Sequence, residues 1–243
     1  MADLPLFASA RSTVRSVDFG HVMVLVDYRD GRVRCLLPAA AAHWVNAART
    51  GRLDIMPVAL SRALITGGLL TPAVAPVPWR KVVAASTPKA SWGGIEHQAG
   101  LQRPPRTSLH ATFAAAAALA LVFAVKHAGP AGKAMLRITR LIAAAASTSR
   151  RPATPAEALA AVHAVRAAAW WSPGRTACLE ESAAAVVLLA AQRRRVTWCH
   201  GIAADPVRLH AWVQTDDKSP VAEPSFIRAY TPVLTLGARH QRP

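Results

Sequence analysis

A thiol, an imidazole and a carboxylate placed in that order along a chain can make a nucleophilic site, and the stretch from Ser172 to Glu223 carries all three. Ser172-Pro173-Gly174 interrupts what precedes it, Thr176 is the expected N-cap, and Leu179, Ala183, Val186, Val187 and Ala190 recur at helical spacing. Cys178 therefore belongs in a first helical turn. There the unsatisfied backbone N–H groups and the positive end of the helix dipole favour a thiolate, which is the nucleophilic form of cysteine.

Two strand-like runs follow Arg193-Arg194-Arg195. In the first, Val196, Trp198, His200 and Ile202 alternate with Thr197, Cys199 and Gly201, the pattern of a half-buried strand. In the second, Leu209, Ala211 and Val213 share one face, while His210 and Trp212 share the other. A hairpin turn centred between Asp216 and Asp217 sets His210 across from Glu223. The carboxylate can then hold one imidazole nitrogen while the other takes the proton of Cys178. A three-residue loop would shift the register by one and turn Glu223 away, leaving Asp216 or Asp217 as the acid.

Other residues compete for these roles. His200 is the nearest rival of His210, while Cys35 and Cys199 read as small core residues. No second Cys or His pair stands at zinc spacing from Cys199-His200, so no metal site is expected. Without a Walker-type phosphate loop or a dinucleotide fingerprint, an autonomous ATPase is not expected and no cofactor is called for.

The runs CLEESAAAVVLLAAQRRRVTWCHGI and LHAWVQ resemble the leader-peptide peptidases of lasso-peptide biosynthesis, the B proteins. In that family a CL-x-x-S helix, an arginine-rich turn, a glycine-containing strand and an H-A-W-V strand follow one another. The resemblance covers about Trp170 to Glu223 and implies a papain- or transglutaminase-like cysteine peptidase. Cys178 would be its nucleophile and His210 its general base. The family's third residue is usually an aspartate in the strand after the histidine; here Glu223, one methylene longer, is the nearest candidate.

These residues need elements to position them. The chain has 243 residues, 52% of them hydrophobic and many of those alanine, so helices should predominate. Its net charge of +16 suits polyanions or an acidic peptide. The basic residues are nevertheless spread over Arg80-Lys81, Arg103 to Arg106, Lys133 to Arg140, Arg150-Arg151 and Arg193 to Arg195. No basic helix is interleaved with stacking aromatics, so nucleic-acid binding is not expected. Three cysteines and the lack of a secretory signal in MADLPLFASARS point to a reducing, cytoplasmic setting. The uncharged run Ala111 to Val125 falls short of the ~20 residues a bilayer span needs, and reads as a buried helix rather than a membrane anchor.

Residues 107–243 would hold the peptidase domain. A helical region from Thr107 to Ala146, broken at Gly129-Pro130, leads to PAEALAAVHAVRAAAWW. There Ala158, Val162, Val165 and Ala169 form one stripe, with Leu159 beside it, expected to pack on the Cys178 helix. Pro76 to Arg106, rich in Pro, Gly, Ser and basic residues, reads as a linker over residues 76–106. Residues 1–75 read as a separate module. Strand-like runs at His21 to Asp27 and Arg32 to Leu37 flank a turn at Tyr28 to Gly31. Helices follow at Ala39 to Arg49, with Trp44 inward, and at Pro57 to Thr66, ended by Gly67-Gly68. The expected class is α+β: a small winged-helix-like N-terminal module followed by a papain/transglutaminase-like domain with an N-terminal helical part.

The runs VLVDYRDGRVRCLL, AAAAHWVNAA and LSRALITGGLLTP resemble the PqqD-like precursor-recognition elements of modified-peptide pathways. In proteobacterial-type lasso-peptide B proteins such an element stands ahead of the peptidase. The resemblance implies a leader peptide that adds as a strand beside Arg32 to Leu37 and leans on the helix near Val58 to Thr66, with Arg34, Leu36 and Arg62 among its contacts. It also implies a partner, an ATP-dependent macrocyclase that takes the released core peptide. Two other classes stay open: a transglutaminase-like acyltransferase on the same triad, and a winged-helix nucleic-acid- or peptide-binding protein with an inactive second domain.

Overall fold

At the turn after Asp27, Gly31 adopts φ 78°, where glycine meets no Cβ penalty, and its N–H donates to the Asp27 carbonyl at 2.8 Å. The computed structural model in which this turn is seen describes residues 4–85, 106–174, 176–204 and 206–237. The chain divides into two compact units, Met1–Thr87 and Pro88–Pro243.

The first unit runs β1 (Phe7–Ala10), β2 (Val14–Asp18), β3 (Met23–Asp27), β4 (Arg32–Leu36), α1 (Pro38–Thr50), α2 (Val58–Thr66), β5 (Leu70–Ala73) and β6 (Val83–Ala84). Its main sheet has the order β4-β3-β2-β6, with β6 parallel to β2 and the other pairs antiparallel; β1 and β5 form a separate ribbon. Buried β3 and the inner faces of both helices close a core on Met23, Leu25, Trp44, Leu64 and Leu70. Helix α2 ends in a paired-bond cap: Gly68, at φ 73°, donates to the Ile65 carbonyl and Leu69 donates to that of Leu64. Cys35, expected in the core, is exposed, because its strand lies at the sheet edge.

This unit continues past residue 75. Trp79 packs edge-on against Trp44 at 4.8 Å and donates its indole N–H to the Ala8 carbonyl at 2.7 Å. The stretch Pro76 to Arg106 thus begins with residues tied into the first unit, and its residues 86–105 lie outside the described ones.

The second unit contains α3 (Leu109–His127), α4 (Ala134–Thr148), β7 (Arg151–Pro152), α5 (Pro155–Trp170), α6 (Cys178–Ala191), β8 (Arg194–Arg195), β9 (Thr197–Ala204), β10 (Val207–Gln214) and β11 (Thr231–Leu236). Helix α5 starts with a reciprocal cap, in which Thr154 Oγ1 accepts from the Glu157 N–H and Glu157 accepts from the Thr154 N–H. Strands β10, β9 and β11 form an antiparallel sheet with β9 central. Helix α6 is buried on most sides, packed among α3, α4 and α5 and against β10.

Three expectations are corrected in this unit. Central β9 is buried on both faces rather than half-buried, because Trp198 meets Ser182 of α6 on one face while Cys199 and Ala203 pack with Ile227 and Tyr230 on the other. Helix α3 is long and apolar enough, by length and composition, to cross a membrane, but it is not the buried helix expected, since only 22% of it is buried. Its Ala115, Ala118, Leu119 and Val122 pack inward, and alanines tolerate the exposed remainder. Leu159 is 40% exposed, on the outer side of the α5 stripe.

Candidate active site

Cys178 is the first residue of α6. Its N-cap is Ala177, at φ −126° and ψ 173°, and not Thr176, whose hydroxyl donates to Glu181 at 2.9 Å. Ala177 has no side-chain oxygen to cap the turn, so the helix start is held from within. Glu180 accepts the Ala177 N–H at 3.1 Å, and Lys126 of α3 donates to its other oxygen at 2.5 Å. These bonds fix where the sulfur emerges.

His210 comes from β10, opposite Gly201 of β9. Its ring stacks on Trp212 with centroids 6.1 Å apart and tilts against Tyr230 at 5.4 Å. Its Nε2 stands 2.8 Å from Glu223 Oε2, and the residue lines one cavity with Cys178. Glu223 has only 6% of its side chain exposed. Its other oxygen accepts from Arg166 Nη2 of α5 at 3.1 Å. Arg166 also donates through Nη1 to the Ala222 carbonyl at 2.8 Å, and its Nε lies 4.0 Å from Glu181.

The hairpin that delivers Glu223 does not have the register expected. Thr215 N–H donates to the Ser219 carbonyl, Val221 N–H donates to that of Val213, and Gln214 pairs with Pro220, so the loop spans residues 216–218. Lys218 adopts φ 66° within it. That is the three-residue loop that should turn Glu223 away. A second left-handed residue, Ala222 at φ 55°, interrupts the strand alternation and returns Glu223 to His210. Asp216 pairs with Arg195 at 2.6 Å, and Asp217 accepts from Thr215 and Ser219 within the turn.

Burial alone would lower the His210 pKa, but the hydrogen bonds to Cys178 and Glu223 and the negative charges of both outweigh it and raise the value to about 9. The ring is therefore an imidazolium at neutral pH, held 2.8 Å from Glu223. His200 behaves oppositely: burial and the charge of His210 lower it to about 4. It stacks on Trp198, whose indole donates to Ser182 at 2.8 Å, and so belongs to the packing behind the site. Burial raises the Cys199 thiol to about 12, far from a nucleophile's range. Glu181 is also raised, chiefly by burial and also by Glu180 and Glu223, against the pull of Thr176 and Arg166.

Cys178, His210 and Glu223 line one cavity of about 120 Å³ with Arg166, Glu181, Ser182 and the apolar Val162, Val165, Trp212, Val213 and Val221. An arrangement of this kind can attack a carbonyl carbon, protonate the departing group and activate a second nucleophile. Arg166 escaped the sequence reading. The available signal was a lone arginine among the alanines and valines of α5, one turn from Val162 and next to Val165. In the first unit, Arg34 is half-buried, Leu36 buried and Arg62 exposed. Arg34 reaches Gly67 at the end of α2 so closely that a Cβ there would meet its guanidinium at 2.9 Å.

Residues 117–235 match the sequence profile of the transglutaminase-like superfamily. The matched segment runs from within α3 into β11 and contains Cys178, His210 and Glu223. At the superfamily level it indicates a domain of the cysteine-peptidase or acyltransferase type. No curated protein and no solved structure matches the chain.

Proposed function

We propose that the protein is a cytoplasmic cysteine peptidase that binds and removes the leader of a ribosomally made lasso-peptide precursor. The observation that carries the catalytic half is His210, hydrogen-bonded to Glu223 and lining one cavity with Cys178, within the segment that matches the transglutaminase-like superfamily. In the first step the Cys178 thiolate attacks the scissile carbonyl carbon, whose oxygen becomes an oxyanion facing the backbone N–H groups at the start of α6. The C–N bond then breaks, His210 gives its proton to the leaving amine, and an acyl thioester remains on Cys178. Water attacks this thioester and His210 takes a proton from it; the C–S bond breaks and the thiolate returns. Glu223 keeps the ring aimed throughout.

The recognition half rests on β4, an edge strand of its sheet with outward Val33 and Cys35. Such an edge can accept a further strand, adding main-chain hydrogen bonds to whatever the side chains supply. In this reading the first unit, which runs past residue 75 to include Trp79 and β6, acts as the recognition element, with Arg34, Leu36 and Arg62 near the leader. Holding the leader raises the effective concentration of the cleavage site at Cys178. The core peptide then passes to an ATP-dependent macrocyclase.

Mass spectrometry of a leader-bearing precursor incubated with wild-type protein and with Cys178→Ala tests the reading, with and without the cyclase. Leader with a free carboxylate, made by wild type alone, is expected. An amide-linked product instead would move the assignment to acyl transfer. No turnover in any wild-type reaction, despite leader binding, would remove the peptidase role.

A further inference from the structure

We propose that Arg166 is the positioning residue of this site: its guanidinium pins the Glu223 carboxylate against His210 and separates it from the neighbouring carboxylate of Glu181. The inference rests on the peptidase reading above and concerns how its third residue is held.

Glu223 is almost wholly buried, and a carboxylate there needs both oxygens engaged. His210 takes one and Arg166 takes the other. The same guanidinium bonds the Ala222 carbonyl, which belongs to the left-handed residue that redirects Glu223 toward the ring. Arg166 thus fixes both the carboxylate and the backbone kink that presents it. Its third nitrogen faces Glu181, 4.0 Å away. Glu181 and Glu223 line one cavity and repel each other, and Arg166 is the cation between them. The charged and titratable groups around this centre are Cys178, Glu180 and Glu181 from α6, His163 and Arg166 from α5, His210 from β10 with Arg208 near Tyr230, and Tyr230 itself ahead of β11.

Removing the cation should let the two carboxylates share a proton and let Glu223 leave the ring. In Arg166→Gln, kcat for leader removal should fall about 10- to 100-fold with KM little changed, the scale of a small misplacement at a reacting centre. A second readout needs no substrate: the rate at which iodoacetamide alkylates Cys178 as a function of pH. Its acid limb should move up by about one pH unit, since Glu223 must now lose a proton to support the imidazolium. Arg166→Lys keeps the charge but lacks the planar fork, so it should recover part of kcat and most of the pH profile. Adding Glu181→Gln to Arg166→Gln removes the repelling partner and should raise kcat above that of the single variant.

A folded Arg166→Gln protein with wild-type kcat and alkylation profile overturns the proposal, as does a double variant no better than the single one. If Arg166→Gln does not fold, the Arg166→Lys pair with and without Glu181→Gln decides. A reduced kcat restored by the second change supports the proposal, and a wild-type kcat in Arg166→Lys overturns it. A wild-type enzyme whose Cys178 reacts no faster than a free thiol at pH 6 sinks the peptidase reading itself. A reactive wild type with an indifferent Arg166→Gln sinks only the role of Arg166.

Discussion

The ring of Trp212 occupies the space that a side chain at Gly201 would need. A Cβ built on Gly201 would stand 2.7 Å from Trp212 Cη2 and 3.0 Å from the Thr231 carbonyl oxygen. The glycine is required by close approach and not by an unusual backbone angle. Because Trp212 also stacks on His210, with Tyr230 packed against the same imidazole, the orientation of that ring depends on a side chain being absent from the facing strand.

Gly201→Ala should therefore damage stability and activity together. Overpacking at a buried contact costs about 1–3 kcal/mol, and neither the Thr231 backbone nor the sandwiched indole can move freely. Chemical denaturation should show a lower midpoint, and leader cleavage should fall at temperatures where the variant is still folded. Unchanged cleavage would mean that Trp212 does not set the ring.

Glu223→Gln keeps the shape of the acid and removes its charge. The rate should drop by about 10²-fold, the scale of misplacing a reacting group. The pH dependence has a definite sign. His210 is raised to about 9, so the imidazolium persists up to that pH and is lost above it. Without the charge of Glu223 the value falls, and the alkaline limb of the pH–rate profile should move toward neutral pH.

Cys178→Ala provides the matching test from the other side. The sulfur is among the groups that raise His210, so the NMR titration midpoint of the His210 ring should be lower in the variant than in the wild type. An unmoved titration would show that the two side chains are not coupled.

The order of cysteine, histidine and acid, and the helix and strands that carry the first two, could be read from the sequence because they follow from periodicity and one Pro-Gly break. The hairpin register could not. It is set by Asp217 accepting from Thr215 and Ser219 and by left-handed Lys218 and Ala222, and neither lysine nor alanine advertises that conformation. Glu223 meets His210 through a register one residue away from the expected one, and the kink at Ala222 compensates. Strand β2, Val14-Arg15-Ser16-Val17-Asp18, was also unreadable, since it becomes a strand by pairing on β3 and not by its own composition. Arg166 looked like one more basic residue in a chain of net charge +16.

Trp79→Ala tests where the first unit ends. The substitution removes the contact with Trp44 and the indole bond to Ala8, and leaves a large void in a small core. Loss of a buried tryptophan costs about 3–5 kcal/mol, so the thermal transition of the first unit should fall sharply and leader binding with it. A variant as stable as wild type would return residue 79 to the connecting segment.

Ala222 offers the most discriminating change, because its backbone and not its side chain does the positioning. An L-residue in the left-handed region carries a penalty of about 1–2 kcal/mol that glycine avoids. Ala222→Gly gains this relief but adds about 0.4–1 kcal/mol of unfolded-chain entropy, so its stability should stay within about 1 kcal/mol of wild type. Ala222→Val instead places a β-branched residue where such side chains are outliers, and should destabilise by about 1 kcal/mol or more. The kinetics separate the two further. The glycine variant retains the kink and the carbonyl that Arg166 holds, and should keep most of its activity. The valine variant favours an extended strand, which carries Glu223 away from His210, and should lose activity in proportion to the population so displaced. Equal activity in both would show that Glu223 reaches the ring without the kink.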